Sequence, residues 1–192
     1  MKNCLFLFCL LAISVNAQQP STSKPLLVGN GPPQFPADPR VFISDKDIQE
    51  KIAQDDALVA AGKATNGEPL VMQGPFRVTM EWRNTAQRGI NLHTTDAEMF
   101  VVIEGSGTML LGGTLVDPKP AKGFAWEGPT MTATKVEGGV PYKVTKGDMI
   151  MIPPNTPHTV SEVNGKLVLW SMHMPLPEST PPSALSNPVT TR

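Results

Sequence analysis

Residues 98–113 read EMFVVIEGSGTMLLGG, and this stretch decides the predicted fold. Residues 98–104 are rich in Val and Ile, as in a β-strand, and Gly105-Ser106-Gly107 then indicates a turn. Residues 108–111 have the pattern of a returning strand, and Gly112-Gly113 indicates a second turn. Short apolar segments separated by glycine turns are typical of an all-β sandwich or barrel.

Predicted strands separated by turns continue on both sides of this stretch. Residues 76–83 alternate apolar and polar side chains, which predicts a half-buried strand. Asn164-Gly165 is the dipeptide of a two-residue turn, so it predicts a hairpin between the last two strands. Four further strands are predicted, at residues 142–145, 149–152, 158–163 and 166–174.

One helix precedes the strands. Ser44 followed three residues later by Asp47 is a capping pattern, and Ile48 and Ile52 then share one helical face. Gly62 indicates where the helix stops. We expect this helix to pack on the outside of a sheet.

The first residues read as a leader and not as part of the fold. Residues 1–17 combine Lys2, an apolar run and a small-x-small ending at Ala17, which predicts a cleaved secretory signal peptide. The apolar run is short for a membrane span, so an N-terminal anchor is the less favoured alternative. Cys4 and Cys9 both lie in this leader, so the processed chain has no disulfide. We therefore expect a secreted or periplasmic protein.

Three segments make up the rest of the chain. Residues 18–43 are a Pro-rich N-terminal arm, residues 44–174 are the folded domain with its leading helix, and residues 175–192 are a Pro/Ser/Thr-rich tail. We favour disorder over docking for the arm and the tail. The long connection from residue 106 to 146 reads either as a lid over the barrel mouth or as an extra hairpin at an oligomer interface.

The overall charge narrows the choice of partners. The formal net charge is −1 and aromatic residues are 6% of the chain. This balance argues against a phosphate-backbone binder and against a stacking platform for bases. We expect a small-molecule ligand or substrate, no nucleic acid and, after processing, no membrane anchor, and we leave a homodimer open. Arg83, Arg88 and Tyr142 are candidates for orienting an anionic substrate.

Three histidines are the candidates for chemistry: His93, His158 and His173. His93 precedes Glu98 by five residues, and this odd spacing on a continuous strand would place the two on opposite faces. A bend at residues 94–96 would bring them to one face. His158 follows the rigid turn at residues 153–157, which aims the next strand.

Two motifs resemble those of the cupins. The first family motif is a His-x-His pair, a Glu, six residues and a Gly; here it reads Asn91-Leu92-His93, then Glu98, then Gly105. The second family motif runs from a Gly through five residues to a Pro and on to a His; here it reads Gly147 to Pro153, then His158. The resemblance covers roughly residues 70–175.

The resemblance implies a fold and a ligand set. The fold is an all-β cupin jelly-roll β-barrel, here with one N-terminal flanking helix, and the ligands point inward. Carried over by position, His93, Glu98 and His158 hold one divalent metal ion. Asn91 stands where the family has its first histidine, and it is expected to support the ion either as a fourth ligand through its amide oxygen or by a hydrogen bond to a metal-bound water. Two imidazoles and a carboxylate suit Fe, Mn, Zn, Ni or Cu.

The function is left open between two classes. The favoured one is a metal-dependent enzyme on a small organic molecule, of oxygenase or isomerase class, with hydrolysis not excluded. The alternative is a non-catalytic small-ligand-binding or structural barrel with a degenerate metal site, because the first family histidine is replaced by Asn91. His173 is either a general acid or base in the pocket or a strand-end residue at the rim, and we favour the rim.

Overall fold

The computed structural model describes residues 41–65, 68–73, 76–121 and 129–176. The predicted signal peptide, most of the predicted N-terminal arm and the predicted tail from residue 177 onward lie outside these ranges. The described elements are α1 Asp45–Ala60, β1 Glu68–Gln73, β2 Phe76–Arg83, β3 Ile90–His93, β4 Asp96–Leu111, β5 Thr114–Val116, β6 Lys119–Pro120, β7 Thr130–Ala133, β8 Lys135–Glu137, β9 Val140–Thr145, β10 Met149–Ile152 and β11 His158–Pro175.

Helix α1 begins and ends where the sequence predicts. The Ser44 hydroxyl accepts a hydrogen bond from the Asp47 amide at 3.2 Å, which satisfies one of the free amides of the first turn. Gly62 follows the helix with a φ of 71°, a left-handed conformation that glycine adopts without strain. Ile48 and Ile52 are buried against the sheet, and such burial contributes about 1.5–3 kcal/mol for each side chain.

Two long strands organise the sheet. β4 and β11 pair antiparallel over nearly their whole lengths. β2 and β3 pair with the other edge of β11, and β10 and β9 pair with the other edge of β4. We call β1-β2-β11-β4-β10 the first half-sheet and β6-β7-β3-β11-β4-β9 the second half-sheet. β5 and β8 form a separate two-stranded ribbon within the predicted lid or hairpin segment.

The predicted turn at Gly105–Gly107 and the predicted hairpin at Asn164-Gly165 are both wrong. Residues 158–163 and 167–175 pair with the same strand in the same direction, so the chain does not reverse. The two turn signals instead face each other at a register shift between Val163 and Leu167, where the long strands pass from one half-sheet to the other. A Cβ added at Gly105 would lie 1.8 Å from the Lys166 carbonyl oxygen, so this crossing requires glycine.

Two apolar clusters lie on opposite faces of the first half-sheet. The outer cluster joins α1 to Leu70, Met80 and Val168. The inner cluster includes Phe100 and Leu169, together with residues of the second half-sheet. The prediction of a jelly-roll β-fold with one flanking helix is confirmed, although pairing among the described strands does not close into a continuous ring.

Candidate metal centre

Three histidines and one glutamate meet on the inner side of the fold. His93 ends β3, Glu98 lies near the start of β4, His158 begins β11 and His173 lies near the end of β11. All four are buried, with 3–5% of each residue exposed. The group therefore draws on both half-sheets, and on both ends of β11.

The Glu98 carboxylate is the hub of this group. Its Oε2 lies 3.2 Å from His93 Nε2 and 3.0 Å from His158 Nε2. Its Oε1 lies 3.2 Å from His173 Nε2. The donor atoms of His93, Glu98 and His173 all lie within 4.8 Å of one another, as metal ligands do.

The bend predicted after His93 is confirmed, and the fold fixes it on both sides. Residues 94 and 95 leave the strand conformation before β4 begins. The Thr94 amide donates to the Pro129 carbonyl at 3.0 Å, and the Asn155 amide donates to the His93 carbonyl at 2.7 Å. Asn155 has a φ of 59°, which asparagine tolerates better than most residues. The bend thus brings His93 and Glu98 to one side, as their chemistry requires.

Neighbouring polar groups orient each ligand. His158 Nδ1 lies 3.0 Å from the Thr156 carbonyl oxygen, His93 Nδ1 lies 2.8 Å from the Thr130 hydroxyl, and the Ser171 hydroxyl donates to Glu98 Oε1 at 2.6 Å. A carbonyl can only accept, so we assign the proton of neutral His158 to Nδ1. Its Nε2 lone pair then faces the Glu98 oxygen.

Charge interactions shift the protonation of the cluster. Burial disfavours the Glu98 carboxylate, but its close polar contacts with the three histidines outweigh burial and hold its pKa well below the usual value. Burial likewise opposes charge on His173, yet Asp96 and Glu98 together raise its pKa to about 9. The pKa of His158 is raised, because Glu98 outweighs the effect of burial. In the absence of a metal ion, protons therefore bind where a cation would bind.

The structure brings together three of the four residues that the motifs predict as ligands. His93, Glu98 and His158 lie in contact, and their role as ligands stays a prediction. Asn91 lies opposite His158 in the register of β3 and β11. Within the described ranges no hydrogen bond links its amide to the cluster, and its role also stays a prediction.

The rim position favoured for His173 is wrong. His173 is 5% exposed, and it lies directly opposite Glu98 in the register of β11 and β4. The burial of His173 could have been predicted from the alternation of side chains along the strand, because Leu167, Leu169 and His173 fall on one face. The chain thus lacks the first family histidine but has a third imidazole from its last strand.

Comparisons with known proteins find only distant structural likenesses. No protein-family model matches the chain, and no curated protein sequence matches it. Solved structures that resemble it include a Bacillus halodurans protein (18% identity, 74% of this chain and 86% of that chain, TM-score 0.46). Others are a cupin protein from Bacteroides fragilis (9%, 69% and 86%, 0.36) and a salicylate 1,2-dioxygenase from Pseudaminobacter salicylatoxidans (13%, 68% and 34%, 0.47).

These likenesses have TM-scores below 0.5, and no property of those proteins is carried over to this chain. The fold is a jelly-roll β-fold with one helix, and His93, Glu98 and His173 lie close enough together on its inner side to hold one metal ion. Among the described residues, no helix is long and apolar enough to cross a membrane.

Proposed function

We propose that this protein is a cupin-type, metal-dependent enzyme that acts on a small organic molecule. One divalent ion is held by His93, Glu98, His158 and His173. The observation that carries the proposal is the aim of three imidazole Nε2 atoms at one buried carboxylate, at 3.0–3.2 Å. The oxygenase and isomerase classes are the two that we favour.

The chemistry of the donors fits a metal ion. A neutral His158 turns the Nε2 lone pair toward Glu98 Oε2, and two acceptors at 3.0 Å repel unless a proton or a cation lies between them. Glu98 Oε2 has no hydrogen-bond partner of good geometry among the described residues. Three imidazoles and one carboxylate suit Fe, Mn, Zn, Ni or Cu.

The chain's own residues prepare this chemistry. When bound, the metal supplies Lewis-acid or redox chemistry at a substrate oxygen. The Thr156 carbonyl holds His158 in the tautomer that leaves Nε2 free to bind, and Ser171 fixes the Glu98 carboxylate. Phe100 lies beside His158, with ring centroids 6.2 Å apart, and helps to keep water from the ligands.

A second candidate is a non-catalytic small-ligand-binding or structural barrel with a degenerate site. One observation favours it: Glu98 and the raised pKa of His173, about 9, allow the cluster to satisfy its charges with protons alone. In that case the site needs no ion to remain buried.

The location and partners are also part of the proposal. The leader at residues 1–17 supports a secreted or periplasmic protein without a membrane anchor after processing. The net charge of −1 supports a small-molecule partner and no nucleic acid. A homodimer stays open.

Elemental analysis of protein purified without chelators or a histidine tag tests the proposal. We expect near-stoichiometric metal in the wild type and loss of that metal in Glu98→Gln, which keeps the shape of the side chain. Glu162→Gln is the matched control, because Glu162 is an exposed glutamate on β11. A wild type that stays empty and whose melting temperature ignores added Fe, Mn, Zn, Ni and Cu favours the second candidate.

A further inference from the structure

One row of side chains on the outer face of the first half-sheet consists of methionines. The outer face is the side that α1 packs against, and the row crosses the adjacent strands β11, β4 and β10. In the strand registers Met172 lies opposite Met99, and Met99 lies opposite Met151. Side chains that lie directly opposite share a face, with Cβ atoms about 4.5–5.5 Å apart. Three thioethers, which we call the methionine row, therefore stand side by side.

Alternation along the strands places the methionine row on the side away from the metal centre. Met99 follows Glu98 and Met172 precedes His173, so both thioethers point away from the inner side. Met151 is 54% exposed, so solvent reaches this end of the row. The methionine row thus lies behind the metal centre, across the thickness of one sheet.

Packing alone does not account for these methionines. Met151 and Met149, which follow one another on the outer face of β10, are 54% and 68% exposed, so their thioethers gain little from burial. Met99 and Met172 are only partly buried. A methionine side chain has three rotatable bonds, so sulfur atoms of neighbouring residues can turn toward one point. The row is open to solvent and can adapt its geometry to a ligand.

The chemistry of this surface favours a soft ion with a single charge. Thioethers are soft, neutral ligands that select Cu(I), whereas Mg, Ca and Mn prefer oxygen ligands. The positions beside the row in the strand registers are apolar and offer neither carboxylate nor imidazole: Val78, Ala97, Val101 and Trp170. A site without negative charge holds one positive charge at a lower cost than two.

We propose that Met99, Met151 and Met172 form a second metal site, a thioether site that binds copper(I). Met99 is the central ligand, because it lies opposite both of the others. Binding leaves the oxidation state of the ion unchanged. The ligands belong to the other face of the sheet, so the inference goes beyond the proposed enzyme and does not rest on its metal centre.

X-ray absorption spectroscopy of the copper(I)-loaded protein tests the kind of ligand. The processed protein, residues 18–192, is saturated with copper(I) without oxygen and then freed of unbound ion. This chain contains no cysteine, so its only sulfur atoms are thioethers. We expect sulfur neighbours around the copper. A spectrum with nitrogen and oxygen neighbours alone, or a protein that retains no copper, overturns the inference.

Competition with the chelator bicinchoninate measures the affinity and assigns the site. Met99→Leu keeps the size of the side chain and should weaken copper(I) binding by at least the roughly 10-fold that loss of an outer-shell partner typically costs. Met109→Leu is the matched control and should bind copper(I) as the wild type does, because Met109 is 0% exposed within the inner cluster. If Met99→Leu fails to fold, Met151→Leu replaces it, since an exposed side chain can be changed with little effect on stability.

Glu98→Gln separates this site from the metal centre. The thioether-bound copper(I) should remain in Glu98→Gln, with sulfur neighbours as in the wild type. Copper(I) that is lost in Glu98→Gln but retained in Met99→Leu belongs to the metal centre, and this result overturns the inference. A wild type that takes up copper(I) through sulfur but no divalent ion overturns the proposed metal centre and leaves the thioether site supported.

Discussion

The two faces of the first half-sheet differ sharply in what they carry. The outer face packs Met80 and Val168 under α1. The inner face carries Arg77, Ser171 and His173 on the same strands. The two faces therefore have different roles: apolar burial on the outer face stabilises the sheet, and the inner face holds the charged groups.

The largest expected effect comes from the outer face. Met80→Ala should lower the free energy of unfolding by about 2–5 kcal/mol, because Met80 is 1% exposed and its loss leaves a cavity. Urea denaturation measures the loss. Metal affinity of the folded variant should not change.

Met151→Ala is the control for this prediction. Met151 is 54% exposed, so its variant should change the free energy of unfolding by no more than about 0.5 kcal/mol. A fall in metal affinity in Met80→Ala, with stability preserved, would contradict the division between the faces.

The next effect comes from protons on the inner face. In the metal-free protein, the raised pKa of His173, about 9, contributes stability that is fully present below the ordinary pKa of 6.5 and is lost as the pH rises through 9. The lowered pKa of Glu98 contributes stability above its ordinary value of 4.5, which is lost at lower pH. The free energy of unfolding should therefore decline by up to about 3 kcal/mol between pH 6.5 and 9.

Metal affinity should show the opposite trend, because the ion displaces the His173 proton. Titrations at pH 6.5 and 9 should give tighter binding at pH 9, and His173→Gln should bind metal more weakly and with a flatter dependence on pH. An affinity that falls over this range would show that the His173 proton does not compete with the ion.

The smallest expected effect lies at the start of the helix. Ser44→Ala removes the acceptor for the Asp47 amide and should cost about 1 kcal/mol in urea denaturation. Ser44→Asp, which restores an acceptor, should recover most of the loss. Metal binding should be the same in both variants if the outer face only supports the sheet.

The local features of this protein were predictable from sequence. Residues close in sequence determine three of these features: the caps of α1, the strand from Phe76 to Arg83 and the bend after His93. The cupin motifs likewise brought His93, Glu98 and His158 together as candidates. In each case a few adjacent residues contain the physical cause.

The long-range features were not predictable. The signals Gly105-Ser106-Gly107 and Asn164-Gly165 fit tight turns equally well as bulges, and only the pairing of β4 with β11 decides between them. The positions of Arg77 and His173 beside Glu98 follow from that same pairing. Strand register depends on packing across the sheet, so it cannot be inferred from residues that are adjacent in the chain.

The register shift in β11 limits which insertions and deletions this chain can tolerate. His158 and His173 belong to one strand. The register shift between Val163 and Leu167 determines which of the later residues face the inner side of the sheet and which face the helix. Insertion or deletion of one residue at Asn164-Gly165 would turn Ser171 and His173 to the helix side and Met172 to the ligand side. A dipeptide that looks like a permissive loop tip is thus a point where length is under strict constraint.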